Sequence, residues 1–157
     1  MSISASLIFG ATVTETLSSG VPAVTSPNLV HDAYNELVTL NATSTPPGTQ
    51  VSNFLLTLTA GAATINLAAL TGANTTIDGT GLRVQLIRIK NLGSNSMAFS
   101  NGASNGIALA CGTITVPAGG ITQIYLNDAS PDIAAADRTI DVAGTLVETA
   151  EVTIILG

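Results

Sequence analysis

Apolar and polar residues alternate with a period of two along most of the chain. Phe54, Leu56 and Leu58 fall on one side of such a run, and Leu55, Thr57 and Thr59 on the other. Residues 113–116, 121–126 and 149–156 form further short runs rich in Ile, Val and Thr. Runs of this length between turn formers read as strands. Ala60-Gly61, Asp78-Gly79-Thr80-Gly81, Asn101-Gly102 and Asn105-Gly106 punctuate them, and Asn-Gly pairs suit the positive φ of tight turns. Val116-Pro117-Ala118-Gly119-Gly120 reads as a hairpin connection. The pattern predicts an all-β chain, an antiparallel, jelly-roll-like β-sandwich of about eight to ten short strands with little or no helix. No internal boundary divides residues 1–157, so one domain is expected, with residues 1–30 as a partly extended N-terminal arm.

Two segments break the simple alternation. Between residues 28 and 40, Leu29, Val30, Ala33, Tyr34, Leu37 and Val38 sit at helical spacing, while Tyr34, Val38 and Leu40 share a face if the chain is extended. The expectation is irregular chain followed by a strand from about Leu37. In residues 82–91, strict alternation groups Leu82, Val84 and Leu86 with Arg88 and Lys90, mixing core with charge. A β-bulge at Leu86-Ile87 resolves this. It puts Leu82, Val84, Leu86, Ile87 and Ile89 inward and lines the outer face with Arg83, Gln85, Arg88 and Lys90. Arg83, Arg88 and Lys90 are therefore candidate interface residues.

Composition changes the picture more than patterning does. Charged residues make up 9% of the 157 residues, against about 25% in an ordinary soluble domain. Thr, Ser, Asn and Gly take their place, and uncharged polar groups cost less to cover than charges when they find hydrogen bonds. Such a surface suits burial against a neighbour. The net charge is −6, and no Lys or Arg precedes Arg83. Phosphate-based nucleic-acid binding needs a basic footprint, which this chain lacks. No apolar run approaches the ~18 residues of a membrane span. The N terminus lacks the basic and apolar regions of a signal peptide, so synthesis in a cytoplasm is expected.

Candidate chemistry is sparse. Cys111 is the only cysteine, which rules out an intrachain disulfide, and with no convincing base it reads as a small buried hydrophobe. His31 is the only histidine and lies beside Asp32, with no nucleophile assigned by the spacing. Gly79-Thr80-Gly81 lacks the third glycine and helix start of a phosphate cradle. Trp is absent and the aromatics are few, which leaves little for a stacking platform. No enzyme constellation emerges. Asp128, Asp132 and Asp137 gather oxygen ligands in a short stretch, and calcium takes six to eight oxygens from such loops. The spacing is not an EF-hand, and capping of a turn around Pro131 explains the same residues.

From Asn53 to Gly157 one further pattern accumulates. Phe54-Leu55-Leu56-Thr57-Leu58-Thr59-Ala60-Gly61 leads to a basic strand ending at Asn91. Val116-Pro117-Ala118-Gly119-Gly120 then precedes a strand closing on Asn127-Asp128, and a last strand ends the chain. This layout resembles small β-sandwich virion proteins of tailed bacteriophages, of the capsid cement or decoration type. The resemblance implies a non-enzymatic homotrimer on the outer surface of a phage head, bridging neighbouring copies of a major capsid protein, with no cofactor and no catalytic residues. A tail, neck or fibre component is the nearest alternative. A surface β-sandwich binding module that uses calcium is the alternative from another class.

Overall fold

The computed structural model describes residues 4–11, 14–16, 28–30, 34–73 and 75–157. Among them the chain is all-β, without helix, so no helix is long and apolar enough to cross a membrane. The strands are β1 (Ser4–Ala11), β2 (Thr14–Thr16), β3 (Asn28–Val30), β4 (Tyr34–Asn41), β5 (Gln50–Thr57), β6 (Ala62–Asn66), β7 (Leu70–Thr71), β8 (Thr76–Ile77), β9 (Val84–Asn91), β10 (Met97–Asn101), β11 (Ile114–Val116), β12 (Ile121–Tyr125), β13 (Thr139–Ala143) and β14 (Thr149–Leu156). There are more strands than the eight to ten expected because short ribbons such as β2–β3 and β7–β8 stand apart from the main sheets.

Two antiparallel four-stranded sheets form the sandwich, in the orders β12-β9-β14-β5 and β11-β10-β13-β6. The pairs β5–β14 and β9–β12 fall in the first sheet, and β6–β13 and β10–β11 in the second. This order is that of a long antiparallel ribbon rolled up so that successive strand pairs alternate between sheets, which is a jelly roll. The fold therefore matches the expected class.

Alternation places the core between the sheets. Phe54 and Leu56 of β5, Ile87 and Ile89 of β9, Phe99 of β10, Val142 of β13 and Val152, Ile154 and Leu156 of β14 all turn inward. Ala60 and Gly61, at φ 50° and 82°, turn the chain from β5 to β6. A Cβ on Gly61 would lie 2.8 Å from the carbonyl of Gly144, so this tight turn needs glycine both for its dihedral and for its space.

The 116–120 segment differs from expectation. It is not a hairpin, because β11 pairs with β10 and β12 with β9 in the opposite sheet. Gly119, at φ 66°, and the Gly120 N–H to Pro117 carbonyl bond of 2.9 Å make a turn that carries the chain between sheets. A Pro-Ala-Gly-Gly sequence specifies a tight turn, but pairing is decided by the sheet each flanking strand joins.

In the N-terminal region, β1 pairs along its whole length with β4, and β2 with β3. Residues 18–27 of the expected arm, and His31-Asp32, lie outside the described residues. The 34–41 strand starts at Tyr34 rather than near Leu37. The helical spacing there is coincidental with strand alternation, in which Val38 and Leu40 turn toward the sandwich. Leu7 and Leu40, flanked by Ala5, Phe9 and Val38, pack on Leu86, Ile155 and Tyr125 as a second small core.

Candidate functional site

The bulge in β9 determines which residues face outward. β9 and β14 pair regularly from Asn91↔Ala150 to Leu86↔Ile155, and then Leu156 pairs with Val84. Gln85 is thus the extra residue, and the irregularity lies one position before the predicted Leu86-Ile87. Leu86 consequently turns outward with Arg88 and Lys90, which strict alternation had indicated. The mixture of core and charge is real because Leu86 is buried from the other side by Leu7 and Leu40. An outward leucine covered by an added ribbon carries the same sequence pattern as an inward one.

Read across the strands, the outer face of this sheet has three rows. Tyr125, Leu86, Ile155 and Val51 form an apolar row, of which Tyr125, Leu86 and Ile155 lie under the β1–β4 ribbon and Val51 is exposed. Gln123, Arg88, Thr153 and Asn53 follow, and then Ile121, Lys90, Glu151 and Leu55. In the last row Lys90 Nζ lies 3.9 Å from Glu151 Oε2, a loose exposed pair of small energetic value. Arg88 has no ion pair among the described residues. Leu55 and Ile121 flank the row at 61% and 58% exposure.

Arg83 does not extend this stripe. It lies beyond the bulge, where its Nε donates to Asp132 Oδ1 at 2.6 Å and its Nη1 lies 3.0 Å from Asp128 Oδ2. The hydrogen bond to Asp132, then the charge of Asp128, raises the guanidinium pKa further. Asp128 and Asp132 are therefore brought together, but around a cation of the chain itself. Asp137 stands apart in a turn, exchanging backbone bonds with Ala134. Among the described residues no three His, Cys, Asp or Glu side chains group to hold a metal.

Gln85, expected on the outer face, is fully buried. Its Oε1 accepts from Asp128 N–H at 3.1 Å and its Nε2 donates to Asp128 Oδ1 at 3.2 Å. Ser130 and the bonds Leu126 N–H to Gln85 O and Ile133 N–H to Leu82 O complete the seam between residues 82–85 and 126–133. Asn127 and Asp128 take φ of 45° and 66° at its corner, a region that Asn and Asp tolerate better than other non-glycine residues. The acidic loop is thus a structural seam. Because the Arg83 pairs are exposed, Arg83→Ala should lower the melting temperature by no more than a few degrees. The loss should shrink in ~1 M salt, where charges are screened within ~3 Å. Thermal scans at low and high salt check this.

Burial raises the pKa of Cys111, which packs against the core edge as a hydrophobe. Burial, then the charge of Asp128, raises that of Tyr125. Asp78 is lowered by hydrogen bonds from the Thr80 hydroxyl and N–H, so Asp78-Gly79-Thr80-Gly81 is a closed Asx turn.

Sequence reasoning also missed four buried polar side chains, of which Ser52 donates its hydroxyl to the Thr71 carbonyl at 2.6 Å. Asn91 is in phase with Ile87 and Ile89, which was the available signal. Ser130 gave none. Glu148, 6% exposed, accepts from the Asn95 N–H and Nδ2 through Oε1. It sits beneath the tip where Leu146 and Val147 are 74% and 71% exposed. Neither family models, nor curated proteins, nor solved structures give a match to this chain.

Proposed function

We propose that this chain is a structural subunit of a virion, a capsid cement or decoration protein that acts through surface contacts and performs no chemistry. Its partners on this reading are copies of itself and a major capsid protein, and its place is the outer surface of a phage head. The observation that carries the reading is the outer face of the β12-β9-β14-β5 sheet. There large exposed apolar side chains, Leu55 and Ile121, alternate with uncharged polar groups, and the three charges include a pair of opposite sign. Such a face loses little hydration free energy when covered, provided the partner sets an acidic group against Arg88. The jelly roll adds weight, since viral capsid domains use it, although lectins and cupins share it and fold alone does not assign function. Many modest contacts of this kind, repeated over a shell, sum through multivalency.

The test is direct imaging of purified virions together with their protein content. The expected result is many copies per particle, with density for a small β-sandwich on the outside of the head. Density confined to the tail or neck favours the alternative structural role. Absence from purified particles overturns both.

A further inference from the structure

We propose that β5 is a docking edge for a second copy of this chain, joining two β12-β9-β14-β5 sheets antiparallel across a two-fold axis at Asn53. This does not depend on the virion reading, and it departs from the homotrimer that the resemblance implies.

Among the described residues the strand has one side without a partner strand. All of β5 pairs with β14, and it ends the strand order of its sheet. The Leu58 N–H donates to the Glu148 carbonyl, and the Leu92 N–H donates to that of Thr149, across β14 from β5. Backbone groups alternate in direction along an antiparallel strand. Even-numbered residues of β5 therefore bond to β14, and Val51, Asn53, Leu55 and Thr57 point their N–H and C=O outward. None of those groups has a backbone partner among the described residues. At the Gln50 end the β7–β8 ribbon stands near this edge: the Ser52 hydroxyl donates to the Thr71 carbonyl at 2.6 Å, and a cleft of about 310 Å³ separates Thr49, Gln50 and Val51 from residues 75–78.

Proteins usually blunt a free edge with charge, proline, a bulge or shortness. Gln50–Thr57 has eight residues and contains no charge, no Pro and no Gly. Its outward residues must meet outward residues of the copy, so only registers pairing odd positions with odd positions are allowed. Of these, the register centred on Asn53 places Val51 against Leu55 of the copy on both sides of the axis. It therefore forms two apolar cross-strand pairs and sets no like charges opposite each other, which is the complementarity that stabilises a strand pair. The contact is isologous and closes at two copies.

Sedimentation of the full chain at micromolar concentration should give twice the 15.7 kDa chain mass, or an even multiple of it. Asn53→Pro removes an N–H only from the free edge and should yield half that mass with a cooperative thermal transition retained. Register is read by cross-linking in a Cys111→Ser background. Opposed residues of a hydrogen-bonded pair lie ~5.5 Å apart at Cα, within disulfide reach. Asn53→Cys should therefore oxidise to a covalent dimer, as should Val51→Cys mixed with Leu55→Cys. Leu55→Cys alone should not, since its two copies lie about 14 Å apart along the ladder. A monomer or an odd-numbered oligomer overturns the proposal, as does cross-linking of Leu55→Cys as efficient as that of Asn53→Cys.

Discussion

Asn91→Ala should cost about 3–5 kcal/mol of folding free energy, a large share of the 5–15 kcal/mol that a domain of this size has. Asn91 is fully buried at the end of β9. Its Nδ2 donates to the carbonyls of Val116 at 3.0 Å and Asn95 at 2.8 Å, and its Oδ1 accepts from the Gly93 N–H at 2.8 Å. Val116 belongs to β11 of the opposite sheet, so one amide ties the two layers together and closes the 91–95 turn. Truncation leaves the Val116 carbonyl buried without a donor, at about 1–3 kcal/mol. The two partly exposed turn groups add about 1 kcal/mol each, since water reaches them. Asn91→Asp is a sharper version at nearly constant volume. It keeps the acceptor for Gly93 but turns a carboxylate oxygen toward two carbonyls. Burial raises the pKa of such a carboxyl in the folded state. The damage should therefore be greatest at neutral pH and ease on acidification, as protonation restores one donor. Urea midpoints for the variants across pH check both. Thr145→Ala, exposed in the loop between β13 and β14 and within about 0.5 kcal/mol of wild type, is the control.

The layered architecture was legible because alternation is a local signal. Phe54 and Leu56, Ile87 and Ile89, and Val152 and Ile154 each state their face through their neighbours two positions away. Three features were not legible, each because the deciding contact is distant in sequence. Leu86 faces outward, and only the ribbon built from Leu7 and Leu40 makes an outward leucine acceptable. Gln85 reads as a surface residue until the Asp128 backbone and side chain enclose its amide. Arg83, Asp128 and Asp132 read as a basic stripe and an acidic loop, two separate candidate sites, until the turn at Asn127 and Asp128 folds one onto the other. The outer face of the sheet was legible in composition, as a shortage of charge. Its rows were not, because they depend on the register of four strands.

Ser130→Ala is expected to cost about 2–6 kcal/mol, the summed penalty of two buried backbone groups at about 1–3 kcal/mol each. The reason lies in the bulge. On the β14 side, Arg83 exchanges both backbone bonds with Gly157. On the other side, the Gln85 carbonyl accepts from the Leu126 N–H, but β12 has ended at Tyr125 and the chain turns away. Val84, fully buried, then has no strand to bond. The Ser130 hydroxyl takes the place of that strand, accepting from the Val84 N–H at 2.9 Å and donating to the Val84 carbonyl at 3.0 Å. A methyl group can do neither, and a residue 3% exposed leaves water little access to replace it. Denaturant unfolding of the variant should show a lower midpoint with an unchanged slope, because the surface exposed on unfolding is the same. Hydrogen exchange should locate the loss at the Val84 amide, with the Ile87 and Ile89 amides changed only by the global loss. A stability change below about 0.5 kcal/mol, as at an ordinary surface serine, would mean that the 82–85 and 126–133 seam is held by its backbone bonds and the Gln85–Asp128 pair and not by this hydroxyl.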